Sequence, residues 1–439
     1  MNTPTLQDLD RAHVWHPFTQ VQTSPPPVAI REGRGATLVD AEGREILDLI
    51  SSWWVNLHGH GHPAIARAIG DQAHRLEQVI FAGFTHEPAV ELCNRLTSVL
   101  PAGLDRFFFS DNGSTSVEVA LKMALQACRN RGEADRTRFM VFEGGYHGDT
   151  VGAMSAGVSS RFFEAWRELL FPVDVMPVAT TWIQDPDIEA KETEALAALD
   201  RHLETFGTRT IAAILEPLVQ GASGMRMHRP SFLRAVVDRL RAQGILVIFD
   251  EVMTGFGRLG QPFACLEADR VPDFICLSKG LTGGFLPMSL TVTRTSIHDA
   301  FLDDSIDRAF LHGHSFTANP LGCAAALASL ELLLDPACEA ARKRIEARHR
   351  QDLAARVGAS PLAKHFRVQG TIAAFELDLP EKGYGSGTSA MLKQFFLERG
   401  LLIRPLGSTV YLLPPYCIQD HELDRAYAGI EAAFKHLTP

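Results

Sequence analysis

Long apolar runs are absent from this chain of 439 residues. No stretch approaches the ~20 apolar residues that a helical membrane span needs, so no membrane partner is expected. Positive charge is also scarce: 42 Lys and Arg face 52 Asp and Glu, the formal net charge is −10, and no basic run of five or more occurs. That balance argues against nucleic acid or an anionic membrane surface as a partner. The seven cysteines are scattered, odd in number and without a C-x-x-C pair, as fits reduced thiols in a cytoplasm. Residues 1–18 show neither the basic nor the apolar region of a secretory signal, so a cytoplasmic location is expected. Internal repeats are lacking too. What remains is 46% hydrophobic and 21% charged, the composition of a soluble globular protein, and long enough for two subdomains.

Alternation of strand-like and helix-like segments sets the fold class. Strand-like runs stand at Phe107–Phe109, Arg138–Phe142, Ile211–Leu215, Ile245–Phe249, Phe274–Leu277 and Pro287–Val292. Helical periodicity separates them, most clearly over Thr115–Arg129, where Val117, Ala120, Leu121, Ala124, Leu125 and Cys128 form one apolar stripe. Such alternation implies an α/β unit with a mostly parallel sheet and helices on both faces. Three regions are expected. Residues 1–79, with a hairpin over Ala36–Asp40 and Arg44–Leu49, contribute to a small domain. Residues 80–325 form the large domain. Residues 326–439, after a long helical stretch over Asn319–Ala355, form a small α+β domain with strands at Thr371–Leu377, Leu401–Arg404 and Val410–Leu413. Glu381–Ser389, rich in Gly and Ser, reads as a loop.

Two of those strands deliver chemistry. Ile245–Phe249 ends in Asp250-Glu251, and Phe274–Leu277 ends in Ser278-Lys279. Wholly apolar runs of this length read as buried parallel strands, whose carboxyl ends are where such sheets bind ligands. An amine and a carboxylate brought to one sheet edge are the pair that pyridoxal phosphate (PLP) requires. The amine condenses with its aldehyde, and the carboxylate keeps its pyridine nitrogen protonated. Ser110-Asp-Asn-Gly-Ser-Thr115 opens the best helix, with Thr115 and Glu118 fitting a capping box. Its free N–H groups and hydroxyls at Gly113 and Ser114 suit a phosphate. Glu143-Gly-Gly-Tyr-His-Gly-Asp149 follows a strand, and Tyr146 or His147 there can lie flat on an aromatic ring.

Other motifs weigh less. Gly255-Phe-Gly-Arg-Leu-Gly260 is a literal G-x-G-x-x-G, but Pro262 stands where a dinucleotide-binding helix should begin. His58-Gly-His-Gly-His62 reads as a turn rather than a metal cluster, because no carboxylate or cysteine accompanies it, and no metal is expected. His312-Gly-His-Ser315 reads as a turn that can offer hydroxyl and amide groups to a phosphate. Adjacent Trp53 and Trp54 on a strand would face opposite ways, one lining an apolar substrate wall. Arg404 is either a strand-end charge or a bidentate carboxylate clamp.

Phe249-Asp-Glu-Val-Met-Thr-Gly-Phe-Gly-Arg258, Leu277-Ser-Lys-Gly-Leu-Thr-Gly-Gly284 and His312-Gly-His-Ser-Phe-Thr-Ala-Asn-Pro320 together resemble the class III (ω-) aminotransferases, fold-type-I PLP enzymes, over essentially the whole chain. The resemblance implies that Lys279 bonds the cofactor and shuttles the proton, with Asp250 at the pyridine nitrogen. Gly113 and Ser114 would hold the phosphate, and Tyr146 would lie on the ring beside the substrate. Gly313, His314 and Ser315 would reach the other subunit's site in a homodimer. Val14-Trp-His-Pro17, Ser51-Ser-Trp-Trp54, Glu216-Pro-Leu-Val-Gln-Gly221 and Ile403-Arg-Pro405 are similar to a subgroup that aminates 8-amino-7-oxononanoate, with S-adenosylmethionine as donor. Lysine as donor, or ω-amino acids and diamines as substrates, are the alternatives within the family. Trp53 would then line the aliphatic chain and Arg404 would bind its carboxylate. This chain has Phe18 where the family usually has Tyr, and His314-Ser315 where it often has Pro-Thr.

Overall fold

The structure, a computed structural model, describes residues 4–157, 161–379 and 387–437. Its centre is a seven-stranded sheet in the order Arg106–Ser110, Ser289–Thr293, Phe274–Leu277, Leu246–Asp250, Thr210–Leu215, Arg138–Phe142, Asp174–Met176. From Phe274–Leu277 to Asp174–Met176 every pairing is parallel. Ser289–Thr293 is antiparallel to both of its neighbours. The central strands are continuous apolar runs because both faces are covered. Val247, Phe249, Ile275 and Leu277 point into one apolar cluster. Ile248, Phe274 and Cys276 point into another, shared with Val117, Ala120, Leu121 and Ala124 of the helix Gly113–Asn130. Each fully buried Leu, Ile or Phe contributes roughly 1.5–3 kcal/mol by leaving water.

A second body of structure joins both ends of the chain. Ile30–Arg34, Thr37–Asp40 and Glu45–Asp48 pair antiparallel, and Leu401–Leu402 adds to Glu45–Asp48 in parallel. Ala363–Gln369, Ile372–Leu377 and Thr409–Leu412 form a three-stranded antiparallel sheet. Leu47 and Leu49 share one core with Phe375, Phe396 and Tyr427. No single helix among the described residues is long and apolar enough to cross a membrane. The bent pair Pro320–Leu334 and Pro336–Val357 reaches that length only together, and Cys323, Ala326, Leu330 and Leu333 are buried within the fold.

Several elements differ from the sequence reading. The strands Ile30–Arg34, Asp174–Met176 and Ala363–Gln369 carry no clear apolar alternation and escape it. The long C-terminal helical stretch is broken at Asp335, which caps a new helix opened by Pro336, since proline is tolerated in a first turn but not inside a helix. The capping box lies one turn earlier than expected: Asn112 is the N-cap and Thr115 its reciprocal partner. Glu118 is thereby freed, and it accepts from the N–H groups of Gly152 and Ala153 at 2.6 and 3.2 Å. Of the loop expected over Glu381–Ser389, residues 381–386 lie outside the described residues, and 387–389 open the helix Gly387–Glu398.

Candidate active site

The carboxyl edge of the large sheet bounds a cavity of about 660 Å³ lined by Gly113, Ser114, Tyr146, His147, Glu216, Asp250 and Lys279. Asp250 ends its strand and is buried. Its Oδ2 lies 2.7 Å from His147 Nδ1, and its Oδ1 accepts from the N–H of Val252 at 3.0 Å. Both oxygens are thus oriented by the protein, and His147, buried itself, is the group that holds the carboxylate. Lys279 follows the neighbouring strand in a turn with φ of +44°, a conformation costly for a residue with a Cβ. Its ammonium lies 4.8 Å from the centre of the Trp54 ring. Loss of water lowers the lysine pKa, against the opposing pull of the Asp250 and Glu216 carboxylates. An amine with a depressed pKa is a better nucleophile at neutral pH.

The start of an 18-residue helix at Gly113 also lines the cavity. The N–H groups of its first turn have no helical acceptor, and the helix dipole favours an anion there. Backbone packs closely around it: a Cβ on Gly113 would meet Val252 Cγ1 at 2.7 Å, and one on Gly148 would meet Ser114 Oγ at 1.9 Å. Ser114 Oγ accepts from the N–H of Asp149 at 3.0 Å. Thr150 also lines the cavity, and its buried Oγ1 has no partner among the described residues. Tyr146 donates its hydroxyl to Asp149 Oδ1 at 3.0 Å, and burial with the nearby Asp149 charge raises its pKa. Glu216 accepts from the N–H groups of Tyr146 and Gly221 at 3.1 and 2.8 Å. Burial pushes its pKa up to about 7. An amine, an oriented carboxylate, a phosphate-type helix start and an unsatisfied hydroxyl in one cavity fit PLP. Bound there, PLP supplies an aldehyde that takes up amino groups and a ring that draws electrons from the adjoining carbon.

A second cavity, about 620 Å³, meets the first at Lys279, Trp54, Val55, Tyr146 and Asp149. Phe18, Trp53, Lys393, Arg404 and Tyr411 complete its wall. The two tryptophans are not on a strand, as expected, but in the helical turn Ser51–Trp54. Ser51, Ser52 and Trp54 have φ of 50°, 60° and 66°, strain of about 1–3 kcal/mol each. Buried Asp48 offsets it by accepting from Ile50 N, Ser52 N, Ser52 Oγ and His60 Nε2 at 2.6–3.2 Å. Trp54 is thereby buried, its Nε1 donating to Tyr411 Oη at 3.0 Å, while Trp53 stays 42% exposed in the cavity. The guanidinium of Arg404 lies 4.8 Å from the Trp53 ring centre, and Phe18 meets that ring edge-on at 5.5 Å. Arg404 is not a strand end: the strand stops at Leu402.

Of the residues expected at the site, Lys279, Asp250, Gly113, Ser114, Tyr146, Trp53, Phe18 and Arg404 line one or both cavities. Gly313, His314 and Ser315 line neither. His314 instead contacts Asp111 at 3.2 Å, and Ser315 O accepts from Gln78 at 3.0 Å. The sequence reading missed Glu216 and the clamp of His147 on Asp250. Both stand in motifs that it quoted, but their burial is visible only in three dimensions. In the G-x-G-x-x-G segment, Arg258 is buried and donates to the carbonyls of Asn56 and Pro414, both at 3.0 Å, so the segment is a structural brace.

Fold and site together define a fold-type-I, PLP-dependent transferase. The model of the family aminotransferase class-III matches residues 18–434, and the chain belongs to that family. The adenosylmethionine-8-amino-7-oxononanoate aminotransferase of Synechococcus elongatus is 52% identical over 418 residues, 95% of this chain and 97% of its own. The crystal structure of the enzyme of that name from Methanocaldococcus jannaschii has a TM-score of 0.91 at 31% identity, covering 98% of each chain. A PLP-bound amine transaminase from an uncultivated Pseudomonas species has a TM-score of 0.87 at 27% identity, over 96% of this chain and 98% of its own.

Proposed function

We propose that this aminotransferase converts 8-amino-7-oxononanoate to 7,8-diaminononanoate in biotin synthesis, with S-adenosylmethionine as amino donor. The observation that carries this reading is the second cavity, whose aromatic wall runs from Lys279 to Arg404. It suits a long methylene chain with a reacting carbonyl at one end and a carboxylate at the other. Full-length similarity to relatives of that name supports it. In this reading Lys279 would hold the cofactor through its amine and would serve as the base that moves the proton at the substrate carbon. Asp250, held by His147, pairs with the pyridine nitrogen. Gly113, Ser114 and Thr150 hold the phosphate, and Tyr146 covers the ring. Trp53 and Phe18 flank the substrate chain, and Arg404 binds its carboxylate.

The working unit in this proposal is a cytoplasmic homodimer whose Gly313, His314 and Ser315 serve the partner's site. Exposed Leu311 and Phe316, 72% and 63% accessible beside that turn, support such a contact. The division at 1–79, 80–325 and 326–439 belongs to the same reading, supported by the shared core of Leu47, Leu49 and Phe375.

The test separates the two half-reactions. S-adenosylmethionine should bleach the visible band of the PLP enzyme, and 8-amino-7-oxononanoate should restore it. Arg404→Ala should weaken the acceptor far more than the donor. Bleaching by lysine alone would replace the donor. Bleaching by β-alanine or a diamine, with no restoration by 8-amino-7-oxononanoate, would make this another ω-aminotransferase.

A further inference from the structure

The second cavity holds a cation with no role in that scheme. Lys393, on the helix Gly387–Glu398, lines it with Arg404, Trp53 and Leu402. Lys393 and Arg404 line the second cavity alone, whereas Lys279 lines both. Among the described lining residues the only carboxylate is Asp149, which sits at the junction and accepts from the Tyr146 hydroxyl. Lys393 is an exposed residue and makes no ion pair among the described residues. Loss of water and then the charge of Arg404 lower its pKa, as befits two cations sharing one space.

We propose that Lys393 and Arg404 jointly grip the terminal carboxylate of the amino acceptor, and that Lys393 thereby selects long-chain acceptors over shorter or neutral ones. The proposal rests on the substrate reading above. In 8-amino-7-oxononanoate the carboxylate is remote from the reacting carbonyl, so it reaches the Lys393 end while the carbonyl meets Lys279. In S-adenosylmethionine the carboxylate sits on the carbon that bears the amino group, so it stays near Lys279. The guanidinium of Arg404 offers a planar fork, and Lys393 adds a point charge with three rotatable donors. Lys393 is therefore a specificity residue for one substrate of the two.

Heptanoate tests this without turnover, because it carries the chain and the carboxylate but neither amine nor carbonyl. Its affinity for the PLP-loaded enzyme is read by calorimetry, with 1-heptanol as the neutral control. Lys393→Met should weaken heptanoate about 5- to 30-fold, the range for a partly screened charge-assisted contact, and leave heptanol unchanged. Lys393→Arg should retain most of the affinity. KM for the acceptor should rise by a similar factor in Lys393→Met, with the donor half-reaction near the wild-type rate. Unchanged heptanoate binding in a folded Lys393→Met enzyme would overturn the grip. Equal weakening of heptanoate and heptanol would do so too, since that is lost packing of the lysine stem. A Lys393-dependent heptanoate site in an enzyme that does not aminate 8-amino-7-oxononanoate would uphold the grip and sink the substrate reading instead.

Discussion

The two cavities that meet at Lys279 are built in opposite ways. The first takes nearly all of its polar groups from one sheet edge: Asp250 ends a strand, Lys279 follows the next, and Tyr146–Thr150 follow a third. Gly113 and Ser114 open the helix after a fourth. The parallel sheet therefore sets their spacing, as such sheets do for ligands in general. The second cavity is assembled from Phe18, the Ser51–Trp54 turn, Lys393, Arg404 and Tyr411, which no single element connects. Its geometry depends on a strained turn that Asp48 pins. Chemistry is thus fixed by one sheet edge, and recognition by side chains drawn from several separate elements. Substitutions in the first cavity should abolish reaction, and those in the second should redistribute substrates.

The largest effect should come from Lys279→Ala. Turnover should fall by several orders of magnitude, because no other amine among the described residues lines the first cavity. Borohydride reduction and peptide mapping should place the cofactor label on Lys279 in the wild type. A label on another lysine would dissolve the distinction between the cavities at its root.

Asp250→Asn should come next. The amide keeps the shape but cannot favour a protonated pyridine nitrogen as a carboxylate does. A buried charge-assisted contact of about 3 kcal/mol corresponds to roughly 100-fold in rate. The fold, followed by circular dichroism, should survive, since His147 and Val252 can still bond the side chain. Near wild-type single-turnover rates would remove Asp250 from the ring and leave it a strand-end brace.

That asymmetry also governs what the sequence reveals. Asp250, Lys279, Gly113 and Ser114 are legible because strand runs and helix starts are local patterns, and the parallel sheet then brings their ends together. Phe274–Leu277 and Arg138–Phe142 are read to the residue for the same reason. Trp53 and Trp54 read as strand residues because positive φ at Ser51 and Ser52 leaves no trace in side-chain pattern. His147 reads as a ring-stacking candidate until folding places its Nδ1 against Asp250, 103 residues away in sequence. Lys393 carries no signal in the sequence, and only folding puts it and Arg404 on the wall of one cavity. Long-range contacts that join irregular segments are what the sequence pattern leaves out.

Glu216 tests whether the wall of the first cavity is tuned or merely tolerated. Burial holds its carboxyl at about 7, above the ordinary 4.5. Between those values the unfolded chain gives up a proton that the folded chain keeps. This group's contribution to stability is therefore complete below pH 4.5 and lost as pH rises toward 7. Buried Glu251, also near 7, acts in the same direction. Glu216→Gln should flatten the fall of melting temperature across that window in part, leaving the share of Glu251. An identical pH profile in the variant would mean that Glu216 is ionised in the folded enzyme throughout.

The smallest effect is expected at Phe18, and it sharpens the comparison most finely. Its ring meets Trp53 edge-on at 63°, is 45% exposed, and lines the second cavity but not the first. Phe18→Tyr adds one hydroxyl to a wall already in place. A neutral hydrogen bond is worth ~0.5–1.5 kcal/mol net, so the change in KM should be about 2- to 12-fold. The rate at saturation should stay constant, because a uniform binding contact does not act on the transition state alone. KM measured separately for S-adenosylmethionine, lysine and 8-amino-7-oxononanoate assigns the wall. A fall confined to S-adenosylmethionine places Phe18 beside the donor, and a fall confined to the acceptor places it along the methylene chain. A fall in the saturated rate would be the informative failure. It would mean that Phe18 sets the position of Trp53, hence of Trp54 and the amine above it, and that the two cavities are mechanically one.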